Sequence, residues 1–196
     1  MSRHQRGFSL MELLTVVSII GLIVVVAVPS FMNLRRRAAL RAASAELRTQ
    51  FHLARSRAIS RNVNCGLKFL LLGGQWHFAV YQDGDHDGVR NDDIKSGKDW
   101  LVARPRVVFP TSRAVTIGLL NVAIKDPDGD LLSPKKSPVV FNKSAICSFS
   151  PLGESSSGTI YLTDRGLDLY AVRVYGASAK IRVLRYVRGT GKWVAW

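Results

Sequence analysis

From Phe8 to Val28 the chain runs through Leu, Ile, Val, Met and small residues, and Glu12 is the one formally charged side chain in the stretch. A helix crosses a bilayer core with about 20 apolar residues, and this run has that length. Such a segment has no place on the surface of a water-soluble domain; it belongs in a bilayer or in the apolar interior of an assembly. The preceding residues, 1–7, are short, polar and basic, as in the first region of a secretory signal. Three features set the segment apart from an ordinary cleaved signal. No small-x-small site closes the apolar run, a carboxylate lies inside it, and helical patterning continues far beyond it.

The residues around the junction, Arg6-Gly7-Phe8-Ser9-Leu10-Met11-Glu12-Leu13, resemble the cleavage signature of type IV prepilins and type II secretion pseudopilins. The resemblance implies a leader of residues 1–7, cut after Gly7 by a prepilin peptidase, and N-methylation of the new first residue, Phe8. It also implies that Glu12 is the residue on which subunit assembly depends. Physics supplies a reason for that role. An ionised carboxylate in hydrocarbon is costly without a partner, and the ammonium freed at Phe8, on the same or a neighbouring chain, is a partner of the right charge. The alternative is a Glu held near a helix N-terminus by the macrodipole alone, which leaves the Gly7-Phe8 spacing unexplained.

Arg35, Arg36 and Arg37 follow the apolar run and outnumber Arg3 and Arg6 of the leader, so charge bias alone favours the opposite membrane orientation. The leader signature is taken to override it, placing the chain as a single pass in the inner membrane with its domain in the periplasm. Pro29 is expected to kink the helix or interrupt its hydrogen bonding. Beyond it Leu40, Ala43, Leu47, Phe51, Ala54 and Ala58 recur at three- and four-residue steps and mark one apolar helical face. The expected organisation is a span at 8–28, an amphipathic continuation of the same helix at 29–61, and a β-rich domain at 62–196. A helix from Phe8 to Arg61 is expected to run on the order of 80 Å.

After Asn62 the period becomes extended. Gly66–Leu72 and Trp76–Gln82 read as a hairpin around Gly73-Gly74. Further strands are expected at Val107–Phe109, Ala114–Leu119, Val139–Phe141, Thr159–Leu162, Ala171–Val174, Ile181–Val187 and Trp193–Trp196. Strands after one long helix indicate an α+β fold. Cys65 and Cys147 match no metal spacing, which leaves a disulfide or two buried thiols; a domain outside the cytoplasm favours the bridge.

The segment Cys147-Ser148-Phe149-Ser150-Pro151-Leu152-Gly153, followed by Gly158-Thr159-Ile160-Tyr161-Leu162 and a basic strand pair, resembles the C-terminal half of the GspH/FimT minor pilins and pseudopilins. Members of that family that act in DNA uptake carry a Gly-Arg-x-Arg motif near the C-terminus. The corresponding residues here are Ala179-Lys180-Ile181-Arg182, which keep two cations and lose the glycine and one guanidinium. Alternation along the strand points Ile181 and Val183 inward and Lys180 and Arg182 outward, with Arg173, Arg185, Arg188 and Lys192 nearby in sequence. Lys180, Arg182, Arg185 and Arg188 are therefore the candidate contacts for the phosphates of double-stranded DNA; the alternative is a solvated basic face. Past Val183 the alternation breaks at Leu184 and Tyr186, so either a bulge intervenes or that face is partly covered. The overall charge fits a polyanion or an acidic partner. There are 28 Lys and Arg against 14 Asp and Glu, net +14, and loss of Arg3 and Arg6 with the leader leaves 26 cations.

One loop has the opposite sign. Asp83-Gly84-Asp85-His86-Asp87-Gly88-Val89-Arg90-Asn91-Asp92-Asp93 supplies carboxylates at positions one, three and five, glycine at six and a backbone carbonyl from Val89 at seven, as in calcium loops. Position twelve is Ile94, so Asp92 or Asp93 has to close the shell. Ca²⁺ is the expected ligand, against the alternative of a solvated Asp/Gly turn; no organic cofactor is expected. Asp126-Pro127-Asp128-Gly129-Asp130 reads as a turn. His4, His52, His77 and His86 have neither a nucleophile nor zinc spacing around them, so no enzyme is expected. The function expected is a minor type IV pilin that enters or primes a filament of other pilin subunits and contributes to DNA uptake. The alternative is a minor pseudopilin of a type II secretion system.

Overall fold

The computed structural model describes residues 9–109, 114–164 and 168–196. Gly7 and Phe8, with the rest of the expected leader, lie outside them. The chain divides into two compact units, Met1–Ala38 and Ala39–Trp196, and one helix, α1 (Leu10–Arg61), contributes to both.

In the first unit α1 is apolar and its described side chains are exposed or nearly so. Three hydroxyls of this stretch are satisfied within the helix. Thr15 Oγ1, Ser18 Oγ and Ser30 Oγ donate to the carbonyls of Met11, Leu14 and Val26 at 2.8, 2.8 and 3.2 Å, which removes the penalty they would bring to hydrocarbon. The amide groups of Glu12 and Leu13 both donate to the Ser9 carbonyl, so the carboxylate sits in the first turn. Pro29 lies inside α1 and does not end it: the helix runs through the expected boundary between residues 28 and 29.

In the second unit the residues of α1 that become buried are Leu40, Ala43, Ser44, Leu47, Phe51, Ala54 and Ala58, the face marked by periodicity plus Ser44. Ser44 tolerates burial because its hydroxyl donates to the Leu40 carbonyl at 2.8 Å. After Arg61 the chain reverses into β1 (Cys65–Leu72), which pairs with β2 (Gln75–Gln82) around Gly73 and Gly74, at φ +57° and +75°. Two successive positive φ values suit the twist of a two-residue hairpin turn. A short helix, α2 (Asn91–Ser96), then leads to β3 (Trp100–Val107). The strands that follow are β4 (Thr116–Ile117), β5 (Ile124–Lys125), β6 (Leu131–Leu132), β7 (Val139–Val140), β8 (Ile146–Phe149), β9 (Gly158–Thr163), β10 (Leu169–Tyr175), β11 (Lys180–Val187) and β12 (Lys192–Ala195).

Strand order is β3-β2-β1-β8 in one antiparallel sheet and β12-β11-β10-β9 in the other, with β4 and β7 both pairing along β9; β5 and β6 form a separate hairpin. This is α+β. One expected strand is corrected and two unexpected elements are present. The strand placed at Val107–Phe109 is the end of β3: Val107 closes it, and Val108 and Phe109 fall outside. Pro105 and two arginines disguise the rest of β3, which is tolerable because it is a sheet edge, where a missing N–H costs little. Residues 91–96 are helical, and Ile146–Phe149 is a strand that the sequence reading had not set out.

The main core joins the buried face of α1 to Leu67, Phe69, Phe141, Phe149, Ile160, Val172, Val174, Ile181 and Val183. Phe51 is at its centre, with ring centroids 6.1, 6.0 and 6.3 Å from Phe69, Phe141 and Phe149, tying the helix to the first sheet and to the β7–β8 connection. A second, smaller cluster lies on the other face of the second sheet. It holds Leu120, Ile124, Leu132, Tyr161, Leu169, Ala171 and Leu184, with Tyr186 and Trp193 against it. The break in alternation at Leu184 is therefore a covered face; the β10–β11 register is continuous and carries no bulge.

Candidate functional site

Three places carry the candidate residues. The Asp loop lies between β2 and α2 and is anchored by Val89, which is buried over Gly66 of β1. A Cβ on Gly66 would stand 2.9 Å from Val89 Cβ and Cγ1, so the loop reaches the sheet because residue 66 has no side chain.

Asp83 is 1% exposed, and its carboxylate organises the loop. Oδ1 accepts the amides of Asp85 and His86 at 3.0 and 2.9 Å, Oδ2 accepts the Gly88 amide at 2.8 Å, and Asn64 Nδ2 also donates to it. Gly88, at position six, takes φ +95°, which a residue with a Cβ adopts only under strain. Oxygens of Asp83, Asp85 and Asp87 lie within 4.8 Å of one another. Lys98 sits 3.1 Å from Asp85 and 3.7 Å from Asp93, and Arg90 pairs with Asp87 at 2.5 Å. The hydrogen bond from Lys98 holds the Asp85 carboxyl below the usual range. Desolvation, and next the hydrogen bond with Asp85, push Asp87 above it.

The two residues expected to close the shell separate. Asp92 turns to solvent, its side chain 93% exposed beside Lys95 at 3.3 Å, because it lies on the outer side of α2. Asp93 is 14% exposed and faces Lys98. A further carboxylate, Asp99, was not picked out from sequence. It is 2% exposed and accepts the amides of Gly84 and Arg90 at 3.3 and 2.9 Å. Burial raises its pKa. It ties the start of the loop to its end, and the signal that would have found it is the need of a reversing backbone for acceptors.

The basic strand pair is β10 and β11. Lys180 and Arg182 are exposed while Ile181 and Val183 are buried, as alternation requires. Arg173 stands directly across from Arg182; it pairs with Asp128 at 2.7 Å, and both guanidiniums lie over the Tyr175 ring, at 5.1 and 5.9 Å. Arg185 does not share this face. It has the parity of Ile181 and Val183, stands opposite Tyr170, is half-buried and approaches Asp168 at 4.0 Å. Arg188 lies beyond β11 in the following turn. Ala179, at the glycine position of the resembling motif, takes φ +44° and is fully buried; glycine reaches that conformation without strain.

Asp126–Asp130 forms the β5–β6 turn, with Asp126 Oδ1 accepting the amides of Asp128 and Asp130, both at 2.9 Å. Trp193 Nε1 donates to the Lys125 carbonyl at 2.9 Å and holds that hairpin on the sheet. Cys65 and Cys147 are both buried free thiols, and the expected bridge is not formed. Cys147 pairs with Leu67 and Cys65 with Phe149, so the two are diagonal neighbours. Such pairs stand about 7–8 Å apart, beyond the reach of about 7 Å that a disulfide allows. Burial raises the Cys65 thiol to about 11 and Cys147 well above its ordinary value.

An apolar N-terminal helix with a carboxylate in its first turn, continuing as the core helix of an antiparallel β domain, is the build of a pilin-like subunit. The chain belongs to the GspH family: the model described as type II transport protein GspH matches residues 43–183. The prokaryotic N-terminal methylation motif matches residues 2–28. The protein is thus a minor pilin or pseudopilin of the prepilin class, a structural family whose members assemble with other pilins after peptidase processing. No curated protein and no solved structure matched the chain.

Proposed function

We propose that this protein is a minor type IV pilin, cut after Gly7 and methylated at Phe8, anchored in the inner membrane by α1 with its domain in the periplasm, and drawn into a filament through Glu12. The observation that carries the reading is Glu12 in the first turn of a helix whose large apolar side chains from Leu10 to Val28 are exposed, inside the segment matched by the methylation motif. Burial of that helix among other pilin helices satisfies the apolar surface, and the Phe8 ammonium satisfies the carboxylate. Intact-mass analysis of protein from membranes is expected to begin at methylated Phe8; a mass starting at Met1 or after Val28 would overturn the processing step.

The DNA-uptake role is supported by the exposed Lys180 and Arg182; Arg173, across the strand pair, is engaged by Asp128. Contacts there are to phosphates, and affinity falls as salt rises. Arg185 contributes by holding the sheet, not by touching DNA. Calcium in the Asp loop is supported by the three converging carboxylates. The ion has to displace Lys98 from Asp85 and Arg90 from Asp87, with Asp93 as the nearer closing ligand.

The second reading, a minor pseudopilin of a type II secretion system, is favoured by the description of the matching family model. A deletion strain scored for piliation, DNA uptake and protein secretion separates the two. Loss of secretion with intact pili selects the pseudopilin.

A further inference from the structure

The face of the second sheet that carries Lys180 and Arg182 is covered along part of its length. Ile124 and Leu132 of the β5–β6 hairpin pack there with Ala171 and Leu184, and the Trp193 indole holds the hairpin in place through the Lys125 carbonyl. The turn of that hairpin, Asp126-Pro127-Asp128-Gly129-Asp130, gathers three carboxylates in a chain of net charge +14. One of them reaches the basic strands. Asp128 Oδ2 stands 2.7 Å from Arg173 Nη2.

Arg173 is in register directly across from Arg182, and opposed residues of an antiparallel pair have Cβ atoms about 4.5–5.5 Å apart. Both guanidiniums lie over the Tyr175 ring, so the two like charges stay together. Like charges placed this way destabilise a strand pair, and Asp128 supplies counter-charge. The supply is incomplete, since Arg173 Nε is buried without a hydrogen-bond partner. Exposure then sets the order of approach. The Arg173 side chain is 15% exposed and that of Asp128 57%, so the carboxylate is on the outside and the guanidinium behind it. Carboxylate and phosphate offer a guanidinium the same paired oxygens. An anion arriving from solvent meets Asp128 first and can take its place, at the cost of rotating one short side chain while the hairpin stays packed.

We propose that Asp128 occupies the place of a DNA phosphate on the basic face: it holds Arg173 in reserve, and a phosphate displaces it to join Arg173 and Arg182. The inference rests on the DNA-binding reading. An isolated anion competes poorly with a carboxylate already tethered at the site. A polyanion held at the same time by Lys180 competes well, because its next phosphate is delivered at high effective concentration.

The test is the fluorescence anisotropy of a short labelled DNA duplex titrated with the full chain in non-ionic detergent, over a salt series. Asp128→Asn is expected to tighten binding several-fold at low salt and to steepen the slope of log affinity against log salt by about 1. Asp130→Asn removes the same charge from the same turn at a residue that does not pair with Arg173, and is expected to give a smaller gain. Beside Arg173→Gln, Asp128→Asn is expected to add nothing. If Arg173→Gln does not fold, the comparison of Asp128→Asn with Asp130→Asn decides by itself. Unchanged affinity on Asp128→Asn, or a gain no larger than that of Asp130→Asn, overturns the proposal and leaves DNA binding standing, with Asp128 a strut between hairpin and sheet. A gain that persists beside Arg173→Gln does the same. No binding by the unaltered protein at low salt removes the DNA reading and the proposal with it.

Discussion

Asp83 shows how a residue that looks like a ligand also has structural work. Its buried carboxylate accepts three backbone amides and the Asn64 side chain, so Asp83→Ala strands those donors. The expected cost is about 3 kcal/mol in urea unfolding, with or without calcium. Asp85 has no such burden: Asp85→Ala is expected to leave the calcium-free melt nearly unchanged and to abolish any rise in Tm on adding calcium. A Tm that is the same with calcium and with chelator removes the metal reading while leaving the Asp83 prediction standing. His52 offers a pH test. Partial desolvation first, then Arg48 and Arg55, hold its pKa below the usual value of about 6.5. The unfolded chain binds that proton more readily, so stability from this group is present above about pH 6.5 and is lost as pH falls toward the folded value. His52→Gln is expected to flatten the Tm profile over that window.

At the scale of elements, the attachment of the Asp loop depends on a missing side chain. Gly66→Val puts atoms where Val89 packs and is expected to cost about 1–3 kcal/mol, much of it recovered by Val89→Ala in the double variant. Recovery is the discriminating result, since a general weakening of β1 would not respond to a change in the loop. The helix–sheet junction is larger in effect. Phe51→Ala opens the aromatic cluster that ties α1 to the first sheet, and an expected loss of about 4 kcal/mol can be read from denaturant midpoints. The thiols belong to the same core: Cys65 and Cys147 are expected to react with an aromatic disulfide reagent only on unfolding.

For the whole molecule, the first unit offers apolar surface with one carboxylate, and the second a closed domain with a basic face. Glu12→Leu is expected to leave the domain folded and the protein in the membrane while abolishing its recovery in sheared filaments, as immunoblots of the two fractions would show. On the basic face, Lys180→Ala with Arg182→Ala is expected to weaken duplex binding and to lower the slope of log affinity against log salt by about 2. Arg185→Ala should instead lower Tm. No binding by the unaltered protein at low salt ends the DNA reading.

The apolar run and the first-turn Glu12 were legible in sequence because each is a local signal: length and charge within a few turns. The buried face of α1 was legible for the same reason, residue by residue from Leu40 to Ala58, because helical period is local. The β1–β2 hairpin was readable from its two glycines. What the tertiary structure decided was which groups meet across the chain. Arg185 takes the face opposite Lys180 and Arg182 because the β10–β11 register carries no bulge, and Leu184 is buried on their face because a second cluster covers it. Asp92 leaves the loop because α2 turns it to solvent, and Asp99 enters because a reversing backbone needed acceptors. Cys65 and Cys147 stay apart by one diagonal of strand register. Such outcomes depend on pairings between distant segments, and no periodicity within one segment encodes them.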